Sequence, residues 1–167
     1  MITFALMLKL TGGALLFVAL GAYTLNAKKR DTQRLLRISS QIAFVRFVRE
    51  RIDRYLLPVG EILRECGDNM WEGIFIGCQA ETDVVDIDSM RHIIRHSLYY
   101  SDGGDIFDSF LAHLGSSYRE DEVDACDRCI SELSGIEKRL SEELPRERKS
   151  RAILAFCLAA AVIIILI

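Results

Sequence analysis

Two stretches of the chain place apolar side chains at every third or fourth position, the spacing of one face of an α-helix. Residues 32–57 carry them at Leu35, Ile38, Ile42, Val45, Val48, Ile52, Tyr55 and Leu56. Residues 117–144 carry them at Val123, Cys126, Ile130, Leu133, Ile136, Leu140 and Leu144. Off the main stripe of the first stretch lie Arg34, Arg37, Arg46, Arg49 and Arg51. The pattern therefore predicts two long amphipathic helices.

Shorter apolar runs between these stretches predict four shorter helices, at residues 59–65, 70–79, 89–100 and 105–114. Turns are expected at residues 66–69 and 101–104, and an irregular segment at 81–87. Predicted helix-capping groups are Asp88 with Ser89, Asp105, and a capping box of Ser117 with Glu120. Only two prolines occur, which favours long helices over short strands. The predicted fold is all-α, an antiparallel bundle of about six helices.

The first end of the chain is apolar. Residues 10–27 contain no charge and precede Lys28, Lys29 and Arg30. Eighteen residues at ~1.5 Å each span about 27 Å as a helix, close to the ~30 Å hydrocarbon core of a bilayer. A cleaved signal peptide is the alternative, but its basic cluster would precede the apolar run. Residues 1–27 are therefore predicted to be a transmembrane anchor.

The last sixteen residues, 152–167, contain no charge either. A buried core helix is the alternative, but such a helix would need polar residues on some face. We therefore predict a second transmembrane anchor at 152–167, and a helical domain at 28–151 between the two transmembrane helices. Basic clusters border this domain on both sides, so the positive-inside rule predicts a cytoplasmic domain and both termini outside.

Charge is distributed unevenly along the middle domain. Residues 28–54 carry nine basic and three acidic side chains, residues 55–145 carry seven and twenty, and residues 146–151 carry four and one. An acidic body argues against nucleic-acid binding, because the phosphate backbone requires positive neutralisation. Five cysteines, an odd number, argue against a secreted disulfide framework.

Few residues suggest catalysis or metal binding. Cys126 and Cys129 have the spacing of a metal or redox pair, and His92 and His96 could share one helix face. Zinc usually takes four ligands from such pairs, whereas Cys126 also fits the apolar stripe as a small buried residue. No phosphate-binding loop or nucleophile with a partner set is recognisable. We expect no enzyme activity, no cofactor and no small-molecule substrate.

Two charged surfaces are predicted to bind a partner protein. One is the acidic first turn of the second long helix, Glu120, Asp121 and Glu122. The other is the basic face of the first long helix, Arg46 and Arg49.

The order of these features resembles the stage III sporulation protein AB family. Residues 111–120 resemble that family's Leu-Gly turn into a long charged helix, and a basic patch and a Leu/Ile-rich end follow as in the family. Residues 56–63 resemble its Leu-Pro-x-x-Glu-Ala-Leu stretch, and residues 8–10 open a similar glycine-bearing span. The resemblance covers nearly the whole chain.

The resemblance implies a fold similar to the cytoplasmic helical domains of type II secretion F platform proteins. It implies a non-enzymatic membrane platform in the channel that joins mother cell and forespore, located on the mother-cell side in the outer forespore membrane. Expected partners are the lipid bilayer, other sporulation channel proteins and an associated ATPase. The alternative is a two-span helical adaptor of another secretion or pilus system.

Overall fold

The computed structural model describes residues 2–55, 57–66, 68–76, 86–97 and 100–166, with the backbone alone for 2–11, 13–17, 20, 68–69, 159 and 162–166. Its regular structure in these ranges is all helical, which confirms the all-α class. The six α-helices are α1 (Ile2–Tyr55), α2 (Val59–Glu65), α3 (Asp68–Ile74), α4 (Ile87–Arg95), α5 (Asp105–His113) and α6 (Arg119–Leu166). A π-helical turn, Tyr100–Gly104, precedes α5.

Both predicted long helices are present, and each continues into an apolar end of the chain. Pro145 lies inside α6, which extends to Leu166. Within the described ranges, no helix combines the length and apolar character needed to cross a membrane.

The chain divides into two compact units, and α1 and α6 contribute to both. The first unit comprises Met1–Thr32 and Glu142–Ile167, and the second comprises Gln33–Ser141. The second unit contains α2 to α5 and most of the buried apolar residues.

The core of the second unit uses the predicted face of α1. Ile38, Ile42, Val45, Val48 and Ile52 are all buried, whereas Leu35 is half-buried and Tyr55 is exposed. On α6 the predicted stripe is buried at Cys126, Leu133 and Leu140 and half-buried at Val123, Ile130 and Ile136. These spacings thus located the core correctly.

A second face of α1 is buried as well, which the sequence pattern did not predict. Arg37, expected off the apolar stripe, is only 2% exposed. Gln41 and Phe44 continue its row at helical spacing and are buried too, and the row then meets the predicted stripe at Val48. The Phe44 ring lies 5.7 Å from the rings of Trp71 on α3 and Phe107 on α5. Arg37 does lie off the apolar stripe, and it is buried there because α1 is covered on two faces of its circumference.

Several predicted boundaries of the short helices were wrong. Helix α3 begins at Asp68, inside the predicted turn at 66–69. Helix α4 is capped by Asp86, whose carboxylate accepts a 2.6 Å hydrogen bond from the Ser89 amide, and it ends at Arg95. This bond lowers the pKa of Asp86. Of the predicted irregular segment 81–87, residues 81–85 lie outside the described residues, as do Cys78 and Leu98.

In the part of the chain that the structure describes, two glycines have positive φ angles where the chain turns. Gly103, at φ +91°, lies in the π-helical turn, and a Cβ there would lie 2.9 Å from Leu133 Cδ2. Gly115, at φ +85°, follows α5 and ends it as predicted. Glycine suits both positions because its missing side chain permits this conformation.

Candidate functional site

A groove of about 680 Å³ lies between α5 and the first turns of α6, within the second unit. The α5 side is lined by Asp105, Ile106, Ser109, Phe110 and His113, with Leu114 and Ser117 from the connection. The α6 side is lined by Asp121, Glu122, Ala125, Arg128, Cys129 and Glu132. Residues 121, 125, 128 and 132 recur at spacings of four, three and four, so they share one face of α6.

The groove has an apolar floor and an acidic rim. Phe110, Leu114 and Cys129 are buried apolar residues, whereas Asp105, Asp121 and Glu132 are exposed. Among the described residues, four carboxylates and one guanidinium, that of Arg128, line the groove. A positively charged partner with an apolar face would therefore match this groove in charge and polarity.

Local hydrogen bonds shape the end of the groove where α5 passes into α6. The Ser117 amide donates to Glu122 Oε1 at 3.4 Å, so Glu122 reaches back over the start of α6. The predicted capping box assigned that contact to Glu120 and was wrong. On α5, His113 Nδ1 lies 2.8 Å from the Ser109 carbonyl oxygen, which can only accept, so Nδ1 carries the proton.

The family model of stage III sporulation protein AB matches residues 9–167. The chain belongs to the stage III sporulation protein AB family. This confirms the family suggested by the sequence, over nearly the whole chain. No curated protein and no solved structure matches it.

The structure distributes the five predicted partner-binding residues of this family member over three places. Asp121 and Glu122 line the groove. Glu120 lines a separate cleft of about 300 Å³ together with Asp53, Arg119, Val123 and Asp124. Arg46 is exposed on α1. Arg49 donates to both carboxylate oxygens of Asp127 at 2.7 and 3.0 Å.

The acidic and basic surfaces predicted from the sequence are thus not brought together as one site. The Arg49–Asp127 pair joins α1 to α6, and the Asp127 carboxylate raises the pKa of Arg49. Asp105 and Glu132 were missed as site residues. The spacing of Asp121, Arg128 and Glu132 along α6 could have shown that Glu132 shares a helix face with Asp121. The position of Asp105 in the groove depends on how α5 packs, which the sequence does not show.

The cysteine pair lies in the core of the second unit. Cys66, Cys126 and Cys129 are buried free thiols, and Cys157 is an exposed one. Burial raises the pKa of Cys126 and of Cys129 to about 12, and that of Cys66 to about 11. The rings of His92 on α4 and of His96, which directly follows α4, lie 4.5 Å apart, as expected from their spacing. Among the described side chains, no three metal-ligating groups converge.

We expect the Cys126 and Cys129 thiols to make stability depend on alkaline pH. Their folded-state pKa of about 12 lies above the ordinary value of 9.0, so their contribution is complete below about pH 9 and is lost as the pH rises towards 12. Denaturant titrations of the full chain at several pH values would measure this loss. A Cys126→Ala, Cys129→Ala variant should show a weaker loss over the same window, and an unchanged pH dependence would contradict the assignment.

Proposed function

We propose that this chain is a non-enzymatic platform component of the secretion-like channel complex that joins mother cell and forespore during sporulation. The observation that carries the proposal is the match of the family model to residues 9–167. The all-α architecture, in which the shorter helices follow one long helix along the chain and precede another, agrees with a scaffold role. The acidic groove supplies a surface on which another protein can dock.

The two apolar ends anchor the platform in the outer forespore membrane, with residues 28–151 on the mother-cell cytoplasmic side. Supporting this, large apolar side chains are exposed on both helices of the first unit. They include Val18, Leu25, Ile153, Leu154 and Phe156, the last of which is 75% exposed. Contiguous exposed apolar surface marks a protein or membrane contact. Basic residues follow the first apolar segment and precede the last one, which favours membrane insertion of these segments with the basic residues on the cytoplasmic side.

The groove between α5 and α6 binds a protein partner of the complex, for which the associated ATPase is the candidate. Its acidic rim selects a basic surface, and its floor of Phe110, Leu114 and Cys129 gives apolar contact area. Charge complementarity of this kind steers association and disfavours wrong partners.

Charge reversal in the groove tests this function in a strain lacking the gene. Complementation with Asp121→Lys, Glu132→Lys is expected to lower the yield of heat-resistant spores at least about tenfold, because like charges facing across an interface cost several kcal/mol. Glu142→Lys, Glu143→Lys makes the same charge change at exposed positions of α6 outside the groove, and should restore spores fully.

Protein levels measured by immunoblot must match between the two variants. Full spore yield from the groove variant would exclude the groove as the docking surface. Normal sporulation of the strain lacking the gene would contradict the sporulation role itself. The remaining function would then be that of an adaptor in another secretion or pilus system.

A further inference from the structure

In the first unit, one carboxylate is buried among basic side chains. Asp31 on α1 is 3% exposed. It accepts a hydrogen bond from Arg148 Nε on α6 at 3.0 Å and lies 3.5 Å from Arg151 Nη1. A buried carboxylate is costly without such partners. Asp31 therefore fixes two arginines of α6 against α1 at a defined place.

These arginines border a small pocket of about 150 Å³. It is lined by Tyr23, Thr24, Ala27, Lys28, Arg148, Arg151 and Ala152. Its lining thus combines three cationic side chains with the aromatic side chain of Tyr23 and two alanines. The volume is below the ~300–1,000 Å³ of pockets that take drug-sized ligands, so the site suits a small anionic headgroup.

The charge around the pocket favours an anion even though Asp31 is present. Residues 28–31 and 146–151 together carry seven basic and two acidic side chains. One acid is Asp31 and the other is Glu147, which pairs with Arg151. Arg148 uses its Nε donor towards Asp31, and a guanidinium has five N–H donors in a fork that matches phosphate oxygens.

The position of the pocket along the two helices identifies the source of the anion. On one side it adjoins the charged segments, and on the other it adjoins the uncharged ends with exposed Leu25 and Ile153. Basic pockets between helices at the cytoplasmic edge of a membrane bind the headgroups of anionic lipids. We propose that Lys28, Arg148 and Arg151 bind the phosphodiester of one anionic phospholipid, with Asp31 as the residue that positions the two arginines.

This inference rests on the proposed membrane anchoring. The test uses the full chain in detergent with equal amounts of phosphatidylglycerol and phosphatidylcholine, and native mass spectrometry to count the lipids retained. The parent chain is expected to retain one phosphatidylglycerol with at least about tenfold preference, since each basic residue near a bilayer contributes to anionic-lipid binding. Lys28→Gln, Arg148→Gln, Arg151→Gln should abolish the preference.

The matched control is Lys29→Gln, Arg146→Gln, Lys149→Gln. It removes three positive charges from the same two segments at exposed positions outside the pocket, and should keep the preference. If both triple variants lost the preference for phosphatidylglycerol equally, the pocket would not be the binding site, and diffuse electrostatic attraction would explain the preference. Because Arg148 and Arg151 neutralise Asp31, Lys28→Gln alone provides a variant that leaves that ion pair intact. It should weaken retention several-fold, and unchanged retention would count against the site.

A second arm adds millimolar inorganic phosphate. Retained phosphatidylglycerol supports the lipid assignment, whereas displacement by phosphate would overturn it and assign the site to the free anion. Failure of the membrane anchoring would be distinguishable, because the chain would then remain in the soluble fraction when the membranes of the host cells are sedimented.

Discussion

Replacing Gly73 by alanine is expected to lower the free energy of unfolding by about 3 kcal/mol, the upper end for overpacking a core contact. A Cβ on Gly73 of α3 would lie 2.1 Å from Ser40 Oγ and 2.7 Å from Ser40 Cβ on α1. Rotating the Ser40 hydroxyl would not relieve the second overlap, because Cβ is fixed to the backbone of α1. Helix α3 would have to move away from α1.

Denaturant unfolding of the full chain in detergent, followed by fluorescence, measures this effect. Trp71 is the only tryptophan, and it lies on α3 two residues before Gly73, with its ring 5.7 Å from that of Phe44 on α1. The reporter therefore senses the contact that the substitution disturbs.

Two further variants test whether steric overlap is the cause. Gly135 is exposed on α6, and a Cβ added there lies within 4 Å of no atom beyond its chain neighbours and the adjacent backbone of α6. Gly135→Ala should therefore stabilise the chain by about 0.5–1 kcal/mol. Adding Ser40→Gly to Gly73→Ala removes both overlapping atoms and should recover most of the lost stability. A Gly73→Ala variant as stable as the parent would show that the two helices do not approach so closely.

The sequence was most informative where one side of a long helix is buried. Ile38 and Val48 on α1, and Leu133 and Leu140 on α6, follow the helical period, and the structure buries all four. Such a pattern is decided within one helix, since only the side facing the core must be apolar.

The sequence was least informative where a second neighbour or a competing local signal decides the outcome. Arg37 is charged yet buried, because other elements also cover that face of α1. Asp86, Asp88 and Ser89 are all residue types that cap helix N-termini well. Only the structure shows that it is the Asp86 side chain that accepts a hydrogen bond from a backbone amide of α4. At Asp68, helix formation prevails over a sequence that is typical of a turn.

The candidate sites divide in the same way. Asp121 and Glu122 were predictable, since acidic residues at the start of a helix mark a charged surface. The groove as a whole was not, because Asp105 belongs to another helix. The contact of Asp31 with Arg148 joins residues 117 positions apart, and no local pattern links them.

Replacing Asp108 by alanine is expected to destabilise the second unit by about 3 kcal/mol, the low end for breaking a buried ion pair. Asp108 on α5 is buried and joins α5 to α4. It accepts hydrogen bonds at 3.0 Å from Arg91 Nε and Arg95 Nε. The value lies at the low end because Arg95 is half exposed and can recover water contacts. Calorimetry of the full chain should show a midpoint lower by roughly 6–12 °C for a chain of this size.

Asp88 provides the matched control, since it also pairs with Arg91. Its carboxylate lies 3.7 Å from Arg91 Nη1 and is 95% exposed, so Asp88→Ala should cost no more than about 0.5 kcal/mol. Asp108→Asn should fall between the two, because an amide keeps one acceptor oxygen but turns an N–H₂ group towards an arginine donor. If Asp108→Ala unfolded no more readily than Asp88→Ala, the attachment of α4 to α5 would have to come from their buried apolar residues, which include Ile94 and Phe107.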